Sequence, residues 1–92
     1  MVNKELLLKA GLSSREIECY LELIKLKEAK AGQISKITGE QRTNTYDTLN
    51  SLIKKNLVTY VIKNNKKIFL PNQPDKLLDF LVRAQEAVIK SV

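Results

Sequence analysis

The sequence predicts a small α+β domain, mostly helical, with a two-stranded β-hairpin and a last helix after the hairpin. Its 92 residues, of which 43% are hydrophobic and 28% charged, are typical of one globular domain. Apolar residues recur at helical spacing through the first half of the chain, with helix-starting and helix-ending residues between the runs. Two short runs rich in β-branched and aromatic residues follow. We therefore divide the chain into residues 1–73, the domain proper, and residues 74–92, a C-terminal helix.

Two helices are predicted before residue 27. Residues 3–10 form a short helix that Gly11 stops. Ser13 and Glu16 fit a capping box, in which each residue binds the backbone N–H of the other, and this box begins the second helix. The apolar residues of this helix form two stripes, namely Ile17, Tyr20, Leu21 and Ile24, then Cys19, Leu23 and Leu26. As the single cysteine of the chain, Cys19 cannot form an intramolecular disulfide, and we expect it to be buried.

A helix-turn-helix follows. Residues 31–38 predict a third helix closed by Gly39, and residues 42–55 predict a fourth. Because Glu40 and Gln41 alone separate Gly39 from the fourth helix, the turn is as tight as the motif requires. The residues expected to point inward from these two helices are Ile34, Ile37, Tyr46, Leu49, Leu52 and Ile53.

A basic hairpin comes directly after the fourth helix. Asn56 is expected to end that helix in a left-handed conformation, and residues 57–62 and 67–70 are predicted strands. Asn64-Asn65 between them suits a tight turn with positive φ. Helix-turn-helix plus hairpin predicts a winged helix, in which one helix enters the major groove of DNA and the hairpin meets phosphates.

A last helix is predicted from Pro74 to about Lys90. Its apolar residues alternate by four and three, as in a coiled-coil seam, which favours pairing of two subunits. Packing of this helix on its own domain is the alternative, because the seam is shorter than two heptads. The candidate dimerisation residues are Leu77, Phe80, Leu81, Ala84 and Val88.

Charge is concentrated in the middle of the chain. The net charge is +6, and eight basic against two acidic residues between Lys30 and Lys67 account for all of it. Such a block favours a surface that binds a polyanion, although an ordinary solvated surface is the alternative.

Several motifs resemble the TrmB-type transcriptional regulators, which are mostly archaeal. They are Gly11-Leu12-Ser13-Ser14-Arg15-Glu16, Tyr20-Leu21, Ala31-Gly32-Gln33-Ile34, Thr38-Gly39, Arg42 with Tyr46-Asp47 and Leu49, and Lys55-Asn56-Leu57-Val58. The resemblance covers roughly residues 8–80. It implies a winged domain that binds promoter DNA, a following helix that pairs two subunits, and a recognition helix whose groove-facing start is Arg42, Thr43 and Asn44.

The chain departs from that family in three places. Lys30 stands where a Thr often caps the short helix, Glu40 replaces an apolar residue, and Gln41 replaces a Pro. Longer members continue into a sugar-sensing domain, whereas this sequence ends at Val92. We therefore expect no small-molecule effector domain in it.

The sequence predicts a dimeric regulator that binds double-stranded DNA sequence-selectively. A winged-helix module for protein contacts, or a non-specific nucleic-acid binder, is the alternative. Tyr46 is interpreted as a core residue whose hydroxyl could also reach a phosphate. The candidate DNA-binding residues are Lys30, Gln33, Gln41, Arg42, Thr43, Asn44, Asn50, Lys54, Lys63, Asn65, Lys66 and Lys67.

Enzymatic, metal-binding and membrane functions are not indicated. The chain has no histidine, one cysteine and three glycines, which excludes a Cys–His pair and leaves no Gly-rich phosphate loop or zinc-type ligand set. We expect neither a cofactor nor a metal. A signal peptide and a membrane-spanning run are both absent from the sequence, so a cytoplasmic location is expected.

Overall fold

The computed structural model describes residues 4–73 and 76–83, and its architecture is a winged helix-turn-helix. The elements are α1 (Lys4–Lys9), α2 (Ser14–Leu26), α3 (Ala31–Thr38), α4 (Arg42–Lys54), β1 (Val58–Lys63) and β2 (Lys66–Pro71). Residues 76–83 are helical as well. The predicted fold class, mostly helical with a two-stranded hairpin, is confirmed.

Local capping chemistry fixes the helix boundaries. The backbone N–H of Glu16 donates to Ser13 Oγ at 3.1 Å, and the N–H of Ser13 donates to Glu16 Oε1 at 2.9 Å, which completes the predicted capping box. Gly39 ends α3 with φ 78°, and Asn56 follows α4 with φ 65°. Both therefore adopt the left-handed conformation predicted for them.

Glu16 also joins α2 to the end of α4, which the sequence did not reveal. Its Oε2 accepts from Lys55 Nζ at 2.6 Å and from the Ser51 hydroxyl at 2.7 Å, and its side chain is 8% exposed. Burial raises the pKa of Glu16, but the hydrogen bonds from Lys55, Ser13 and Ser51 outweigh burial, so the net shift is downward. The carboxylate is thus held ionised between two helices.

The hairpin is antiparallel, with Val58 opposite Pro71 and Lys63 opposite Lys66. Asn64 and Asn65 take φ values of 52° and 62°, as a tight type I′ turn requires. Each strand extends one residue further toward the tip than predicted, because Lys63 and Lys66 are also opposite each other in the strand register. Leu57 is not part of β1, since its N–H donates to the Leu52 carbonyl and completes the exit from α4.

Phe69 fastens the hairpin to the helices. Its N–H and carbonyl bind the carbonyl and N–H of Ala29 at 2.8 and 2.9 Å, forming a bridge that was not predicted. The Phe69 ring is 1% exposed and lies 6.2 Å from the Tyr46 ring and 6.0 Å from the Tyr60 ring, measured between centroids. The hairpin is therefore held by the segment before α3 and by α4 together.

The core lies between the four helices α1 to α4 and the base of the hairpin. Its buried members include both Cys19 and Ala29, and burial, with a smaller contribution from Glu18, raises the pKa of the Cys19 thiol to about 11. The largest fully buried side chains are Leu7, Ile17, Leu23, Ile34, Leu49, Leu52, Leu57, Val58 and Phe69.

Two of the predicted inward-facing side chains are exposed. Tyr46 is 39% exposed, because α4 buries Thr45 in its place, beside Leu49, which is buried as predicted. The Thr45 hydroxyl donates to the Gln41 carbonyl at 3.0 Å, so this polar residue can be buried without losing a hydrogen bond. Ile37 is 51% exposed and does not point inward as predicted.

The second helix shows the same kind of difference. Ile24 and Leu26, which close the two predicted apolar stripes of α2, are both exposed. The buried positions of α2 run from Glu16 to Leu23, so only the last three residues at its C-terminal end lie beyond the core.

The helix at residues 76–83 rests on the domain. Leu77, Phe80 and Leu81 are partly buried against the core, whereas Leu78 is 64% exposed and Val82 is also exposed. Ala84 and Val88 of the predicted seam lie outside the described residues. Within residues 4–73 and 76–83, no helix is both long and apolar enough to cross a membrane.

Replacing Glu16 should expose its structural role. Glu16→Gln should lower the free energy of unfolding at pH 7 by about 1–3 kcal/mol. The neutral amide would accept the hydrogen bonds from Lys55 and Ser51 more weakly than the carboxylate does. The folded-state pKa of Glu16 lies below its ordinary value of 4.5, so its stabilisation is present above that value and is lost on acidification. Urea unfolding at pH 7 and pH 3 should therefore show a smaller pH effect in the variant. Glu18→Gln, an exposed change on the same helix, is the control, and equal behaviour of the two variants would contradict the role.

Replacing Phe69 should release the hairpin. Phe69→Ala should cost about 3–5 kcal/mol, because it leaves a cavity beneath the bridge to Ala29. Ile62→Ala, an exposed change in the same hairpin, should stay within about 0.5 kcal/mol of the original chain. Urea titration followed by circular dichroism measures both, and similar costs for the two variants would contradict this assignment.

Candidate nucleic-acid interface

A basic groove lies where the starts of α3 and α4 face the tip of the hairpin. It is open, with a volume of about 600 Å³. The described residues that line it include five cations and no carboxylate. They are Lys30, Ala31, Gly32, Gln33, Lys36, Arg42, Tyr46, Asn65, Lys66 and Lys67.

The first turn of α3 supplies one wall. Lys30 occupies the N-cap position with extended backbone and no side-chain cap bond, as its lack of an acceptor requires. The Gln33 side chain takes over part of the capping, since its Oε1 accepts from the Lys30 N–H at 2.9 Å. The predicted loss of the Thr cap is therefore partly compensated. Lys30 is exposed and lines the groove.

The Arg42 side chain reaches from the start of α4 to α3. The guanidinium group lies over Gly32, where a Cβ would be 2.8 Å from Arg42 Nη2 and 3.6 Å from its Cζ. Tyr46 follows one turn later on α4 and also lines the groove. The two side chains thus share one face of α4.

The hairpin tip supplies the opposite wall, with Asn65, Lys66 and Lys67. Lys67 Nζ lies 4.6 Å from the centroid of the Tyr60 ring, within the range of a cation–π interaction. Because Tyr60 also contacts Phe69, the position of Lys67 follows from the packing at the base of the hairpin.

The groove cations are not neutralised within the part of the chain that the structure describes. None of the five appears in an ion pair, whereas Arg15 pairs with Glu40 at 3.1 Å and Lys63 pairs with Glu28 at 3.8 Å. Two acids near the helix-turn-helix, Glu28 and Glu40, are therefore held by cations outside the groove. Glu40 in the turn, in particular, is bound by Arg15 on α2. A strip of positive charge is left facing solvent.

A second surface lies beside the groove, on the outer face of α4. Thr43, Asp47, Asn50 and Lys54 are all exposed and are spaced by four, three and four residues, so they form one stripe along the helix. Asn44 is half-buried next to this stripe. A polar helix face next to a cationic groove is the shape of a surface that fits into the major groove of duplex DNA.

The structure separates the predicted site residues into two sets. Six of them meet in the groove, and the other six do not line it. Those in the groove are Lys30, Gln33, Arg42, Asn65, Lys66 and Lys67. Those elsewhere are Gln41, Thr43, Asn44, Asn50, Lys54 and Lys63.

Lys54, at the end of the α4 stripe, also lines a different surface depression. Together with Lys55, Lys76 and Arg83 it borders a depression beside the helix at residues 76–83. Four groove residues were not among the candidate DNA-binding residues, namely Ala31, Gly32, Lys36 and Tyr46, although the Tyr46 hydroxyl was considered as a phosphate contact. The spacing of four between Arg42 and Tyr46 is a signal that could have placed Tyr46 there.

Comparisons with known proteins agree with this architecture. The family described as sugar-specific transcriptional regulator TrmB matches residues 6–75. The HTH-type sugar sensing transcriptional regulator TrmBL1 of Pyrococcus furiosus is 33% identical over 82 residues, which is 86% of this chain and 24% of that protein. The chain thus spans about a quarter of the length of this relative.

Solved structures show the same fold. The ST1889 protein of Sulfolobus tokodaii superposes with a TM-score of 0.80 at 14% identity, covering 95% of this chain and 90% of that one. TrmBL2, described as an archaeal chromatin protein with a novel mode of DNA binding, superposes with a TM-score of 0.77 at 25% identity, covering 95% and 35%. The family match extends from α1 to the end of the hairpin and includes every residue that lines the groove. This chain therefore belongs to the TrmB family of transcriptional regulators.

Proposed function

We propose that this chain is a transcriptional regulator that binds double-stranded DNA sequence-selectively and acts as a dimer in the cytoplasm. The observation that carries the proposal is the groove, in which three separate elements bring five cations together without an acidic partner among the described residues. A polyanion is the ligand that such a surface fits, and the adjacent helix α4 has the dimensions of a major-groove reader.

Phosphate contacts supply affinity in this proposal. Lys30 at the N-cap of α3 and the pair Lys66 and Lys67 from the hairpin tip line the groove beside the start of α4. Cations next to a helix that enters the major groove can contact the phosphates that border it. Each contact releases a condensed counterion, so affinity should fall steeply with salt. Lys63 joins them only if its exposed pair with Glu28 opens.

Base contacts supply selectivity. The exposed stripe of α4 carries Asn50 and Thr43, and Gln41 precedes it at the N-cap. Asn and Gln side chains can bind adenine edges in a bidentate manner, and Asp47 in the same stripe can accept from cytosine N4. Asp47 also repels phosphates. Orientations of the protein in which the stripe faces the DNA backbone instead of the bases are therefore disfavoured.

A dimer would double these contacts. The helix at residues 76–83 has an exposed apolar pair, Leu78 and Val82, one turn apart. Leu77, Phe80 and Leu81 of the predicted seam rest partly on their own domain, so we propose that the exposed pair extends the seam toward a second copy. Two subunits related by a two-fold axis would prefer half-sites about one helical turn of DNA apart.

Architectural binding is the second candidate. TrmBL2, with a superposable fold, is described as a chromatin protein. The groove cations would contact any duplex, so this candidate differs from the first in the α4 stripe alone.

Selection from a random duplex pool tests the proposal. We expect enrichment of a palindromic site and a log–log salt dependence of affinity with a slope of several units. Asn50→Ala should then weaken the enriched site by about 1–3 kcal/mol and leave random duplex unchanged, whereas Lys66→Ala should weaken both alike. Fluorescence anisotropy measures each affinity.

The outcomes separate the candidates. Salt-sensitive binding without enrichment would contradict selectivity and favour architectural binding. Failure to bind duplex at low salt would contradict both and favour a protein-contact module.

The dimer has its own test. Leu78→Glu should shift the chain toward monomer in sedimentation velocity, because it places a charge on the proposed interface, and it should leave the fold intact since Leu78 is largely exposed. Ile37→Glu, on an exposed apolar residue of α3, is the matched control. A monomeric original chain, or equal behaviour of the two variants, would contradict the proposed interface.

A further inference from the structure

Gly32 lies in the groove at a position where the backbone does not require glycine. It is the second residue of α3 and has helical backbone geometry, unlike Gly11 and Gly39, whose φ values are positive. Glycine in a helix is less favourable than alanine by up to about 1 kcal/mol. Its presence in the first turn of an eight-residue helix therefore calls for a local explanation.

The explanation is the space that Gly32 leaves for Arg42. The three heavy atoms nearest to a Cβ at Gly32 would all belong to the Arg42 guanidinium group, at 2.8, 3.6 and 3.7 Å. The closest of these distances is too short for a real contact, so any side chain at this position would displace the guanidinium. Since the group ends a long flexible side chain, it can move without disturbing the backbone.

The position of Arg42 decides which part of DNA it can meet. On Gly32 the guanidinium lies with Lys30, Lys36, Lys66 and Lys67. The exposed stripe of α4 begins at the next residue, Thr43, which is about 100° further around the helix. Arg42 thus belongs to the cationic groove and not to the stripe.

We infer that Gly32 is a positioning residue, whose missing side chain seats the Arg42 guanidinium on α3, where it binds a phosphate of the DNA backbone and not a base edge. The inference rests on the proposed function and changes the role that the resemblance implied for Arg42. A planar guanidinium can bind a phosphate group in a bidentate manner, and the neighbouring lysines would add to the same contact.

The test uses the full chain and four variants, namely Gly32→Ala, Arg42→Ala, the double variant, and Ser14→Ala as a control in the first turn of α2. Affinities are measured by fluorescence anisotropy for an enriched site and for a random-sequence duplex, over a salt titration, and thermal melting is measured in parallel. Arg42→Ala should weaken both duplexes by the same factor, on the order of tenfold at 0.1 M salt, and reduce the salt slope by about one.

Gly32→Ala should weaken both duplexes severalfold while its melting temperature stays the same or rises, because alanine favours the helix. A purely structural role for Gly32 would not separate stability from binding in this way. The double variant should bind no more weakly than Arg42→Ala alone, since Gly32 acts through Arg42.

Several results would overturn the inference. They are a Gly32→Ala affinity equal to that of Ser14→Ala, a Gly32→Ala effect that persists without Arg42, and an Arg42→Ala loss confined to the enriched site. Each of these presupposes that the unaltered chain binds duplex DNA and leaves the proposed function in place. Failure of the unaltered chain to bind either duplex would overturn the proposed function, and this inference with it.

Discussion

The bridge between Phe69 and Ala29 is the constraint on which the binding surface depends. A two-stranded hairpin alone is marginally stable in water, so it needs a partner to hold a fixed direction. Two backbone hydrogen bonds from Phe69 to Ala29 and the contact of the Phe69 ring with Tyr46 on α4 supply that partner. Because Ala29 lies two residues before α3, the same bridge that orients the hairpin also holds its tip near the first turns of α3 and α4.

The fixed position of the hairpin brings the positive charges of the groove close together. Five cations converge without an acidic partner among the described residues, and their mutual repulsion is a cost in the free protein. Two interactions outside the groove stabilise the fold against this repulsion. They are the packing of Phe69 in the core and the Glu16–Lys55 ion pair between α2 and the end of α4. The electrostatic cost would be relieved when a polyanion binds, so the groove is built for binding more than for stability.

The sequence predicted those features that depend on local chemistry. The Ser13 capping box, the left-handed Gly39 and the Asn64-Asn65 turn each follow from residue types a few positions apart, and all three are present. The groove itself could be predicted only in part. The Ala29 bridge and the preference of α4 for burying Thr45 over Tyr46 depend on contacts distant in sequence, which composition and periodicity do not encode.

We propose that duplex DNA binds at the groove between α3, α4 and the hairpin tip and at the adjacent stripe of α4. Titration of the ¹⁵N-labelled chain with a short duplex, followed by two-dimensional NMR, tests it most directly. We expect amide shifts to concentrate at the first turns of α3 and α4, along the exposed stripe of α4 and at Asn65 to Lys67, while residues 76–83 change little per subunit. Shifts concentrated on that last helix, or spread evenly over the basic surface, would contradict it.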